Sequence, residues 1–152
     1  VEIVLRFFAL RDVLSLSGSV RSMLDNTMKR NRRPNVAERA QFAADFRSAL
    51  GLCLSVFEGD AFRLPRTTPN KPGKLSRPLY DAEMIALYNL REHDALLREN
   101  HAAIRAAVLQ LAEPGTGNYE LMVGRGNTAN AIRDRIAKVE EVVRGIINVQ
   151  AG

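Results

Sequence analysis

Val1-Glu2-Ile3-Val4-Leu5-Arg6-Phe7-Phe8-Ala9-Leu10-Arg11-Asp12 is the stretch on which the fold turns. Eight of its twelve residues are apolar, and Glu2 and Arg6, one helical turn apart, leave only a narrow polar stripe. That pattern predicts a helix buried around most of its circumference, which needs neighbours on several sides. The later segments each offer one apolar face, so the expectation is an all-α, irregular bundle of five to seven helices around a central, buried N-terminal helix.

Working outward, Ser15 to Ser19 is a short break, and Ser19 can cap a helix running to about Arg32. Its tail, Lys29-Arg30-Asn31-Arg32-Arg33, places positive charge where the helix dipole is negative, which stabilises that end; contact with a phosphate backbone is the functional alternative. Pro34 stops the segment and Asn35 can cap the next. From Val36 to Glu58, Phe42, Phe46, Ala49, Leu50, Cys53 and Phe57 recur at three- and four-residue steps, and Gly59 follows as a stop.

Residues 59–77 hold Pro65, Pro69, Pro72, Gly73 and five Lys or Arg, and so form a long Pro-rich basic loop in which Ala61-Phe62-Arg63 can dock an aromatic anchor. Ser76, with Pro78 behind it, starts a further helix with Leu79, Met84, Leu87 and Tyr88 inward. A bend at Arg91 to Asp94 leads to a helix from Ala95 to about Ala112, either separate or continuous with its predecessor. After the Pro114-Gly115-Thr116-Gly117 turn and one helical turn at Asn118 to Val123, the last helix runs from Thr128 to about Asn148. Its stripe is Ile132, Ile136, Val139, Val143, Ile146 and Ile147, with Asp134–Lys138 and Glu140–Arg144 at ion-pair spacing on the other face.

At 152 residues the chain is the size of one domain and can bury a core without disulfides or metals. Cys53, the single cysteine, lies within the apolar stripe and reads as a small core residue; its solitude fits a reducing, cytoplasmic setting. No apolar run approaches the roughly 20 residues of a membrane span, so no membrane partner is expected. A net charge of +5 and an isoelectric point near 9.9 favour attraction to polyanions, while the absence of Trp leaves little for a base-stacking platform. Lys29, Arg30, Arg32 and Arg33, with Lys71 and Lys74 of the long loop, are the candidate contacts to DNA backbone.

Chemistry is harder to find. His93 and His101 lie eight residues apart with no carboxylate at metal-ligand spacing, so neither a metal nor any cofactor is expected. Arg98 and His101 resemble the Arg and His pair of helical ribonucleases of the HEPN type, but that motif sets four to six residues between them and here there are two. Gly124-Arg125-Gly126-Asn127-Thr128 places amides and a cation at a helix start, which makes Arg125, Gly126, Asn127 and Thr128 a candidate anion site beside the plainer reading of a helix-capping loop. No carboxylate pair for acid-base work stands out, and no catalytic residue is assigned.

Several landmarks together resemble the helical part of the GmrSD-type restriction-system family, long catalogued as a domain of unknown function. Val4-Leu5-Arg6-Phe7-Phe8-Ala9-Leu10-Arg11 is similar to its signature, and Met23-Leu24-Asp25-Asn26-Thr27-Met28 to its Phe-Leu-Asn followed by Met. Phe57-Glu58-Gly59-Asp60-Ala61-Phe62-Arg63, Leu79-Tyr80-Asp81-Ala82, and Gly126-Asn127-Thr128 with Arg135-Ile136 follow in the family's order, so the resemblance covers nearly the whole chain. It implies bacterial defence against foreign or modified DNA, with nucleotide hydrolysis or DNA cleavage attributed to an upstream ParB-like region carrying an Asp-Gly-Gln-Gln-Arg motif. This sequence contains neither that motif nor a His-Asn-His nuclease, so no catalytic residue carries over.

The resulting expectation is a non-catalytic helical domain that supports or couples a catalytic region encoded upstream; the alternative is a free-standing helical module that binds nucleic acid or protein. Because the sequence opens inside a helix with no Met, it reads as a fragment of a larger protein. Part of the first helix, through Ile3, Val4 and Phe7 or Phe8, is then expected to meet the upstream region or a second copy of the chain.

Overall fold

The computed structural model describes residues 2–124 and 126–149. Eight α-helices run through them: α1 (Glu2–Leu10), α2 (Val20–Arg30), α3 (Val36–Phe57), α4 (Arg77–Asn89), α5 (Asp94–Glu99), α6 (His101–Leu111), α7 (Tyr119–Val123) and α8 (Ala129–Ile147). Among the described residues there is no strand, only two isolated antiparallel bridges, Ser19 to Thr128 and Arg63 to Leu75. The architecture is therefore the all-α, irregular bundle that the periodicity predicts. Among the described residues no helix is long and apolar enough to cross a membrane.

Local chemistry sets the helix starts. Ser19, Ser76 and Thr128 each accept a backbone N–H from three residues on, and Asn35 forms a reciprocal capping box with Glu38. Each such cap stabilises its helix by about 1 kcal/mol. The count rises to eight partly because the segment expected to run unbroken from Ala95 to Ala112 divides at Asn100. There the side-chain amide donates to the Leu96 carbonyl (2.9 Å), which already accepts the helical Asn100 N–H (3.0 Å), and this local side-chain bond competes with continuing the helix. At the end of α3 the stop is Glu58, held at φ +51, rather than Gly59.

The centre of the bundle is α4, which corrects the expectation that the N-terminal helix is central. Every residue from Leu79 to Leu87 is buried, and α1, α3, α7 and α8 all pack on this helix. Helix α1 is peripheral by comparison. It buries Arg6, Phe7, Ala9 and Leu10 against α2 and α4, but Ile3 is 52% and Val4 39% exposed. Nine residues present too little length for neighbours to surround, whereas the fully enclosed Ala82 and Ala86 of α4 let adjacent helices approach closely.

Two acidic side chains ride inside with α4 because each has a partner. Asp81 receives a two-pronged guanidinium from Arg6, with Nε to Oδ1 at 2.8 Å and Nη2 to Oδ2. Glu83 Oε2 accepts the Phe62 backbone N–H at 2.7 Å. That second bond anchors the Pro-rich loop. Phe62 stacks edge-on against Tyr80 with centroids 5.0 Å apart, and backbone bonds Leu64 to Lys74 (2.9 Å) and Ser76 to Phe62 (2.8 Å) close the loop on itself. The loop is thus ordered at its base, with Thr67, Thr68 and Lys71 exposed at its tip.

Candidate functional site

Helices α1, α2 and the first half of α3 enclose a cleft of about 580 Å³. Its apolar lining comes from Leu5, Phe8 and Ala9 of α1, Met28 of α2 and Phe42 of α3; Arg11, Arg30 and Arg32 supply positive charge, and Asp12 a carboxylate. The spacing of Leu5, Phe8 and Asp12 places them along one side of α1 and its continuation, opposite the side that buries Leu10.

One wall is fixed by aromatic and ionic contacts. The Phe8 and Phe42 rings lie 5.2 Å apart, and the Arg11 guanidinium sits 5.1 Å from the first centroid and 5.8 Å from the second. Arg11 Nη1 reaches Asp45 Oδ2 at 3.0 Å, while Gln41 donates to the other oxygen at 2.7 Å. Phe8 is in turn held edge-on by Phe7 at 5.0 Å, and Phe7 packs against Phe46 and Tyr88. The opposite wall is the end of α2. There Asn31 closes the helix by donating both its backbone N–H (3.1 Å) and its side-chain amide (2.9 Å) to the Thr27 carbonyl. Arg30 and Arg32 extend from this turn, exposed, and neither has a hydrogen-bond or ion-pair partner among the described residues. Met28 beside them is 58% exposed.

The basic residues singled out from sequence fall into two groups. Lys29, Arg30, Arg32 and Arg33 are all exposed around the end of α2, and Arg30 and Arg32 line the cleft. Lys71 and Lys74 are exposed on the Pro-rich loop and do not line it. Of the four side chains expected to meet a partner, Ile3 and Val4 are exposed and Phe8 is half-buried at the cleft. Phe7 is 1% exposed and belongs to the chain's own core, so it cannot serve as a contact; its ring is enclosed by Phe46 and Tyr88.

At the start of α8, Thr128 Oγ1 already accepts the Ala131 N–H (3.2 Å), and the Gly126 carbonyl accepts from Arg135 Nη2 (3.2 Å). Asn127 is exposed; Arg125 lies outside the described residues. Arg135 is the cation this loop wraps. It is 1% exposed, also donates from Nε to the Leu121 carbonyl (2.8 Å), and burial lowers its pKa despite the favourable charge of Asp81. The geometry is that of a capping loop folded over a buried guanidinium.

The two histidines do not join a catalytic group. His93 Nε2 is 3.4 Å from Glu92, and His101 Nδ1 is 3.5 Å from Glu58 Oε1, whose other oxygen is taken by Arg105. Arg98 is directed elsewhere, to Asp94 and to Ser55 Oγ, both at 2.7 Å, so it does not converge with His101 as a ribonuclease pair would. Burial of Cys53, 0% exposed with its S–H toward the Glu83 carbonyl, pushes the thiol pKa well up and leaves it unreactive. No group of three or more His, Cys, Asp or Glu among the described residues is placed to hold a metal.

The sequence reading missed Leu5, Arg11, Met28, Thr27 and Phe42 as neighbours. The one signal available was that a short helix apolar on most sides must leave some of that surface uncovered. Comparison with protein-family models, curated proteins and solved structures finds no match.

Proposed function

We propose that the chain is a non-catalytic helical domain of a bacterial DNA-targeting defence protein, supporting or coupling a ParB-like catalytic region. The observation that supports this reading is the cleft between α1, α2 and α3. It combines a preset apolar wall with unpaired guanidiniums, beside a helix edge that leaves Ile3 and Val4 uncovered. Such a surface suits docking another polypeptide, and the reacting groups that chemistry would need do not gather around it. The resemblance to the helical part of the restriction family supplies the biological context.

Purified 1–152 is expected to show no nucleotide hydrolysis and no DNA cleavage. Reproducible turnover that disappears on His101→Ala would overturn the reading. The second reading, a nucleic-acid-binding module, is favoured by one observation: Lys29, Arg30, Arg32 and Arg33 cluster exposed at one helix end. Binding of that kind is independent of sequence and falls steeply with salt, because it works through released counterions. Reversing Arg32 and Arg33 to Glu without loss of DNA affinity at low salt would remove it.

A further inference from the structure

We infer that the α1–α2–α3 cleft seats an amphipathic helix with apolar anchors and an acidic flank. This rests on reading the chain as a docking domain and names the chemistry of what docks.

The case begins with shape. The cleft is lined on the α1 side from Leu5 to Asp12, and Val4, one turn before Phe8 and 39% exposed, leaves further apolar surface uncovered on the same helix. Met28, on the opposite wall, is more than half exposed. A helix laid between α1 and α2 covers both of these apolar walls with side chains at i, i+3 or i+4, and i+7. Met28 adds adaptability, because an unbranched thioether can re-pack around different anchors. Phe8 and Phe42, by contrast, are held by ring contacts and by Arg11, so that wall does not have to order on binding.

Charge then selects the partner. Arg11 is committed to Asp45, but Arg30 and Arg32 have no partner among the described residues and face a cleft with one carboxylate, Asp12. An incoming helix therefore gains from Glu or Asp beside its apolar stripe at the α2 end, and it loses from Lys or Arg there. The chain's net charge of +5 steers in the same direction. DNA backbone is the poorer occupant: Arg30 and Arg32 would suit phosphates, but the floor of Leu5, Phe8, Met28 and Phe42 offers them nothing and would be covered by a strongly hydrated polyanion.

A display selection of helical peptides on immobilised 1–152, counter-selected against Met28→Glu, tests this, followed by fluorescence anisotropy with the enriched peptides and with a mixed-sequence DNA duplex. Met28, Arg30 and Arg32 are exposed, so Met28→Glu and the pair Arg30→Glu/Arg32→Glu should unfold at the wild-type temperature. The expected result is enrichment of sequences with apolar residues at helical spacing and acidic flanks, whose affinity falls at least tenfold with either variant. Failure to enrich anything over the Met28→Glu bait, or enrichment of basic peptides, would overturn the inference. So would displacement of the peptides by the duplex, with duplex binding sensitive to Arg30→Glu/Arg32→Glu and indifferent to Met28→Glu. A concentration-dependent dimer broken by Met28→Glu would equally overturn it, by making a second copy the occupant. None of these outcomes bears on catalysis, so they are separable from the turnover assay that tests the reading beneath.

Discussion

Glu83→Gln should make the protein more stable as pH rises, relative to the wild type. Glu83 is 2% exposed inside α4, where its Oε2 accepts the Phe62 N–H at 2.7 Å. Burial pushes its carboxyl pKa well up, outweighing the opposite pull of the Phe62 amide, and Asp60 adds to the rise. In the unfolded chain the group ionises near the ordinary value of about 4.3, whereas in the fold it keeps its proton to higher pH. The stability attached to that proton is complete below the unfolded value and is lost as pH climbs toward the folded one, at up to about 1.4 kcal/mol per pH unit. Glutamine has nearly the same shape, carries no proton to lose, and its amide oxygen can take the same Phe62 N–H. Urea unfolding from pH 5 to 8 reads the effect as a gap between the two proteins that opens in favour of Gln, by about 1.4 kcal/mol for each unit inside the window. Parallel stability curves would show that Glu83 is ionised in the fold and would refute the reasoning.

Two further outcomes follow from buried contacts. Asp81→Asn removes the buried counter-charge of the Arg6 guanidinium, 7% exposed, leaving it only the half-exposed Glu2 at 3.8 Å, and should cost about 3–5 kcal/mol in thermal or urea unfolding, whereas Arg6→Met with Asp81→Leu should cost clearly less than the two single changes summed. Gly73→Ala would set a methyl group 1.8 Å from the Leu64 carbonyl oxygen, so the base of the Pro-rich loop must open; a loss of roughly 2 kcal/mol is expected, with faster amide exchange at Leu64 and Ser76 than elsewhere.

Helix identity was legible because its signals are local. Ser19, Asn35, Ser76 and Thr128 each cap a helix, and of the expected α8 stripe Ile132, Ile136, Val139, Val143 and Ile147 are buried while Ile146 is half-buried. The ion pairs on α8 were less so: Lys138 pairs with Glu141 at 3.1 Å rather than with Asp134, since three- and four-residue spacings compete and rotamers decide. The break at Asn100 was hidden because Asn is tolerated within helices, and only its bonds to the Leu96 carbonyl show that it ends one. Beyond the uncovered apolar surface of α1 the cleft was not legible, as its walls come from α1, α2 and α3, brought together only by packing.

The misplaced centre has a second physical origin besides the shortness of α1. Reading burial from hydropathy ranks Val1 to Asp12 above Arg77-Pro78-Leu79-Tyr80-Asp81-Ala82-Glu83, because the first is mostly apolar and the second carries two acids. What reverses the ranking is pairing at a distance: Arg6 is 75 residues from Asp81, and Phe62 is 21 from Glu83. Once Arg6 is drawn inward to Asp81, the face of α1 that carries it, with Phe7 and Leu10, becomes the buried one. Val4, Leu5 and Phe8 are then turned toward the outer side and the cleft. The same buried ion pair that admits an acid to the middle of α4 thus sets which apolar residues of α1 are left for a partner. Weakening it by Asp81→Asn should disturb the cleft wall as well as the core, whereas Glu83→Gln, acting on the far loop, should leave peptide binding in the cleft unchanged.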